Sequence, residues 1–215
     1  PHGGRRDLEL RVLRHVSPAF AEDPVRILRL ARFAARFHEF AVAPETLALA
    51  RRMVDGGEVD ALVPERVWQE LARGLMEAHP SRMLLVLRDC GALARLLPEI
   101  DRMWGAERVN AAAVLLRTLD ISARLGCDLP QRFACLGHAA GPGLASLSEL
   151  CRRLHVPLEC GELAQVTSRE LDAVQHCEAM DAVALLGLLE RCDAPRRPGR
   201  FEAMLLACEC ISKGS

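Results

Sequence analysis

The chain has 215 residues, half of them apolar, and a formal net charge of −1. That length holds one large helical domain or two small ones, and the near-neutral charge excludes a global basic field that draws in nucleic acid. Any RNA contact must come from local clusters of arginine, and with 4% aromatic residues and no Tyr the core must be filled by aliphatic side chains and Ala.

The pattern is helical nearly throughout, with extended character only over Glu9–Val16. Asp23-Pro24 reads as an N-cap followed by Pro at the first helical position, opening a helix to about Phe37. Pro44-Glu45 opens a second helix that stops at Gly56-Gly57. Pro64-Glu65 opens a third, ending near His79-Pro80, and Pro80-Ser81 a fourth, broken at Gly91, with a short helical turn before Pro98. Beyond Trp104 the predicted helices are 106–125, 130–139, 144–154, 158–175, 179–192 and 199–211, with residues 98–105 as the best domain boundary. The expected fold class is all-α.

The nine cysteines form no CxxC pair, their number is odd, and most sit in apolar helical stretches. They read as free thiols acting as small hydrophobes in a reducing, cytoplasmic protein without disulfides or zinc. No signal peptide or membrane-length apolar run is present, so no membrane partner is expected. The chain starts at Pro1 rather than Met, which points to a fragment or a processed product.

The first long helix carries the most information. On a wheel of about 100° per residue, Ile27, Leu30, Ala31, Ala34 and Phe37 form the buried stripe, while Arg29, Arg32 and Arg36 lie on the polar side. Arg26 sits apart from those three, at the edge of the apolar stripe and flanked in angle by Phe33 and Phe37. A charge so placed needs an acceptor. Asp23, one turn below, and Glu22 are the local choices, and on spacing alone Asp23 is an ordinary N-cap paired with Arg26. The alternative is that Asp23 and Arg26 both face a planar ligand with donors and acceptors of its own.

The runs Leu13–Phe20 (LRHVSPAF) and Glu22–Phe37 (EDPVRILRLARFAARF) resemble the neck of class II CCA-adding tRNA nucleotidyltransferases. Val63–Glu70 (VPERVWQE), Val86–Gly91 (VLRDCG) and Leu97–Asp101 (LPEID) resemble the same family in the same order, and weaker similarity continues to about Cys210. The resemblance implies that Glu22, Asp23 and Arg26 form the nucleotide-selecting motif. A carboxylate accepts from the exocyclic amine of cytosine or adenine, and a guanidinium donates to ring acceptors. It further implies that Arg29 contacts the triphosphate or ribose side, and that Arg66 and Glu70 form a supporting intrahelical pair, which spacing alone reads as a surface i,i+4 pair. The implied division is 1–20 as the exit from a head domain, 21–100 as neck and body, and 101–215 as a degenerate helical tail. The implied substrates are CTP, ATP and the tRNA 3′ end.

Phosphoryl transfer in this family needs a carboxylate pair for Mg2+ and a Gly-rich phosphate loop, both carried by the head. No Asp-x-Asp occurs in this sequence, and Gly3-Gly4 follows no strand, so the chain alone is expected to be inactive and to need a head in cis or in trans. Arg132–Gly141 (RFACLGHAAG) resembles the signature of a His-Asp phosphohydrolase, but Ala139 stands where the metal-binding Asp belongs. Its His-rich loop has shrunk to Gly141-Pro-Gly143. His138 is then a core or surface histidine, and no metal ligand is expected. Arg32, Arg36, Arg196 and Arg197 are candidate RNA contacts, weighed against solvated surfaces. Two other readings stand beside the first: a poly(A) polymerase neck and body, and a stand-alone helical RNA-binding module.

Overall fold

Proline opens most of the helices in the first part of the chain. In the computed structural model, which describes residues 3–105, 110–140 and 144–215, α1 (Gly4–Glu9) leads into a two-residue strand β1 (Val12–Leu13) and a 3-10 turn over Pro18–Glu22. Then come α2 (Val25–Arg36), β2 (Ala41–Val42), α3 (Pro44–Asp55), a 3-10 turn at Glu58–Ala61, α4 (Pro64–Leu75), α5 (Pro80–Asp89), α6 (Ala92–Leu96) and α7 (Pro98–Asp101). Pro44, Pro64, Pro80 and Pro98 each occupy the first turn of their helix, where a missing N–H costs nothing. Gly91, at φ +81°, takes the left-handed conformation that separates α5 from α6. After a 3-10 turn at Arg102–Trp104 follow α8 (Ala111–Arg124), α9 (Leu129–His138), α10 (Leu144–Arg153), α11 (Leu158–Gln175), a 3-10 turn at Cys177–Ala179, α12 (Ala182–Arg191) and α13 (Pro198–Gly214).

The all-α expectation holds. The extended character near Glu9–Val16 becomes one short parallel pairing, Val12 with Ala41 and Leu13 with Val42. Three helix ends differ from the predicted ones. The third helix stops at Leu75 rather than near His79, because tertiary partners take the groups beyond it: Arg132 binds the Leu75 and Glu77 carbonyls at 2.8 and 3.0 Å, and the His79 amide donates to Ala35 O at 3.1 Å. α12 starts three residues late because Asp181 caps it, its carboxylate accepting from the Ala184 amide at 2.8 Å. α13 runs on to Gly214. The start of the predicted 106–125 helix and the Gly141–Gly143 loop lie outside the described residues.

α2 is wedged between α4 and α5, and α11 and α13 pack on α8 and α9. Ile27, Leu30, Ala31 and Ala34 of the predicted stripe are buried, but Phe37, just past the end of α2, is exposed, and Ala35 is buried in addition. The buried apolar residues form one cluster from Val25 to Ile211, continuous across residues 98–105. Trp68 of α4 meets Phe133 of α9 edge to face, with ring centroids 5.3 Å apart. Such a pair contributes about 0.5–1.5 kcal/mol beyond its burial.

All nine cysteines are free thiols, seven of them buried. Among the described residues no helix is long and apolar enough to cross a membrane.

Candidate functional site at the start of helix α2

Asp23 has extended backbone (φ −140°, ψ 105°) and Pro24 is already helical (φ −62°, ψ −17°), so Asp23 is the N-cap by geometry and Pro24 the first helical residue, as the sequence suggested. The carboxylate does two jobs. Oδ1 accepts from the Val25 amide at 3.1 Å, and Oδ2 accepts from Arg66 Nη2 at 2.8 Å. Partial burial by itself would raise the Asp23 carboxyl. The Arg66 hydrogen bond, the Val25 amide and the charges of Arg66 and Arg29 outweigh it, and the pKa lies below its ordinary value of 3.8.

Arg26 is not paired with Asp23 or with Glu22, which corrects the expected local pairing. Its Nη1 donates to the carbonyl of Ala19, in the preceding 3-10 turn. The reason is the fold of that turn, which curls Ala19 over the first turn of α2 while Arg66, arriving from α4, occupies Asp23. Glu22 is exposed at the end of the same 3-10 turn.

Arg66 and Glu70 do not form the expected intrahelical pair either. Glu70 is nearly fully buried and turns toward α2 instead. Its Oε2 accepts from Arg32 Nε at 2.9 Å, and its Oε1 faces Arg29 Nε and Arg73 Nη1, each at 3.4 Å. Three guanidiniums thus surround one buried carboxylate, and Arg66 is left for Asp23. Arg32 also lies 3.7 Å from Glu77 and over the Phe33 ring, so it is engaged inside the protein rather than displayed. Arg36 is exposed and lies over Phe37, 5.5 Å from the ring centroid. Of the basic turn, Arg197 faces Glu162 and Asp193 at 3.3 and 3.6 Å, while exposed Arg196 has no such partner among the described residues.

A cleft of about 340 Å³ opens beside this turn. Arg26, Arg29, Leu30 and Phe33 of α2 form one wall, and His15 and Phe20 help to form the other. His15 escaped the sequence reading. Its backbone amide and Nδ1 lie 3.0 and 2.8 Å from the buried Thr46 hydroxyl, which fixes this wall to the start of α3. No local periodicity signals such a contact across 31 residues.

His138 ends α9, half-buried, and burial lowers its pKa, favouring the neutral ring. Among the described residues no three His, Cys, Asp or Glu side chains converge as a metal site requires.

The fold is shared with known proteins. Residues 39–103 match a family described as "Probable RNA and SrmB-binding site of polymerase A". A solved structure described as the complex of a CCA-adding enzyme with CTP superposes with a TM-score of 0.66 at 20% identity, covering 99% of this chain and 51% of that one. The class is thus the all-α fold that this structure shares. The multifunctional CCA protein of Cupriavidus pinatubonensis is 55% identical over 238 aligned positions, covering all of this chain and 57% of the relative. That of Leptothrix cholodnii is 56% identical with the same coverage. The chain belongs to the CCA-adding enzyme family, and it spans somewhat more than half the length of these relatives.

Proposed function

We propose that this chain selects CTP and ATP and grips the tRNA 3′ end for CCA addition. One observation carries the reading: Arg26 lines a cleft, and it and Asp23, three residues before it, are not spent on each other. Asp23 is held ionised by Arg66, so it remains an acceptor, suited to the exocyclic amine of C or A. Arg26 has a single backbone acceptor and retains further N–H donors for ring nitrogen or carbonyl oxygen. Together they offer the complement of a Watson–Crick edge shared by C and A and absent from U and G. Arg29 lies on the same cleft wall, available to phosphate or ribose.

The metal-binding carboxylates and the phosphate loop would come from a head in cis or in trans, and the chain by itself is inactive. The name of the matching polymerase A family favours a second reading, poly(A) addition. That reading needs ATP alone.

A chimera carrying the remaining N-terminal part of the Cupriavidus relative ahead of this chain tests both. It should extend tRNA with C, C and A, and Arg26→Ala should erase discrimination against UTP and GTP while the circular dichroism spectrum stays unchanged. Unaltered nucleotide choice in Arg26→Ala would falsify the pocket assignment, and incorporation of AMP alone would favour the second reading. CMP incorporation by the 215-residue chain alone with magnesium would contradict the need for a head.

A further inference from the structure

A larger cleft, of about 590 Å³, opens where α3, α5 and the Arg102–Trp104 turn meet, and it shares no lining residue with the Arg26 cleft. Arg51, Arg88, Asp89, Asp101, Arg102 and Trp104 line it. Many exposed arginines of this protein are occupied by carboxylates: Arg66 by Asp23, Arg95 by Asp60, Arg152 by Glu149. Here three guanidiniums gather on one cleft, and none has a carboxylate oxygen within 4.0 Å among the described residues.

Two of the three are held by other means. Arg51 Nε donates to the Asp89 carbonyl at 2.7 Å, which orients the side chain and leaves both terminal nitrogens without a partner among the described residues. The Arg88 guanidinium lies over the Trp104 indole, 5.1 Å from the ring centroid. An aromatic face holds a guanidinium without consuming its N–H edge. The indole is itself set by a tight turn, closed by the Gly105 amide on the Arg102 carbonyl at 3.1 Å. Positioned guanidiniums with free donors are what a phosphate oxygen requires.

From this we infer that the cleft is an RNA subsite that holds a backbone phosphodiester between Arg51, Arg88 and Arg102. Charge selects the ligand class. Three arginines face two aspartates, so the lining suits the single negative charge of a phosphodiester better than the several charges of a free triphosphate. Asp89 and Asp101 supply acceptors that suit a ribose 2′-hydroxyl beside that phosphate. All of these residues except Trp104 fall within the matched RNA-binding region, 39–103. The inference rests on the tRNA-binding reading above and places a grip away from the nucleotide pocket.

Fluorescence anisotropy with labelled tRNA lacking its terminal CCA, over a salt series and with the whole chain, is the test. Arg51→Ala, Arg88→Ala and Arg102→Ala should each weaken binding about three- to tenfold and lower the slope of log affinity against log salt by about one. Trp104→Ala should mimic Arg88→Ala by releasing that guanidinium. Arg124→Ala, an exposed charge outside this cleft, should bind as the unaltered chain does. These arginines are exposed, and circular dichroism verifies that each variant keeps its fold. Cleft variants that bind normally, or an equal loss in Arg124→Ala, overturn the subsite while leaving the tRNA-binding reading intact. An unaltered chain that binds no tRNA overturns both.

Discussion

Asp23 is the residue on which local and tertiary chemistry meet. Its own turn makes it a cap, a role written in the Asp-Pro dipeptide. Its second partner, Arg66, is 43 residues away and arrives only because α4 packs beside α2. The depressed pKa has a directional consequence. A carboxyl whose folded pKa is lowered adds stability above its unfolded value, near 3.8, and that stability is lost as pH falls through the lower folded value. We expect the Asp23 carboxyl carbon to titrate below 3.8 by NMR, and to move upward in Arg66→Ala while the helices persist. A midpoint unchanged by the substitution would show that the cap alone holds the charge. The same reasoning applies to Arg26. Its place at the edge of the apolar stripe was legible from the wheel, but its acceptor, a carbonyl in an irregular turn, was not.

At the scale of elements, α2 and α4 are joined by charge as well as by packing. Glu70 looks from its spacing like half of an i,i+4 pair, yet its side chain is 4% exposed and serves three arginines, two of them from α2. Removing its charge leaves Arg32, whose side chain is 17% exposed, without its nearest partner. Glu70→Gln keeps the size and loses the charge. We expect it to cost about 2 kcal/mol of stability, discounted because Arg29 and Arg73 reach solvent. A chain of this size should then melt about 4–8 °C lower in calorimetry. A shift under one degree would mean that the cluster is neutral to stability and serves only to aim Arg29. The segment after α4 makes the same point about helix ends. Leu75 ends the helix because α9 delivers a guanidinium to its carbonyl, a contact spanning 57 residues.

That guanidinium, Arg132, matters for the whole molecule. It is buried, and it binds the carbonyls of Cys127, Leu75 and Glu77, tying the start of α9 to the end of α4. With the Trp68–Phe133 contact beside it, the two parts drawn from the sequence, 21–100 and 101–215, share a seam of apolar and polar contacts. We expect urea unfolding to give a single transition, and Arg132→Ala to lower the unfolding free energy by about 3 kcal/mol, since three carbonyls lose a charged donor in a dry environment. Two resolved transitions in the unaltered chain would instead establish separate domains.

Much of this protein was determined by its sequence alone. Prolines, glycines and the apolar period placed the helices, because each is a property of a few neighbouring residues. The ordered motifs from Leu13 to Asp101 pointed to the family, and the dispersed cysteines to free thiols. Only the tertiary structure decided who pairs with whom: Arg66 with Asp23, Arg32 with Glu70, Arg132 with the end of α4, and three arginines around one cleft with no carboxylate partner among the described residues. The physical reason is distance along the chain. Helix periodicity specifies which face a side chain occupies, while its partner on that face depends on which other helix the packing of the core brings alongside.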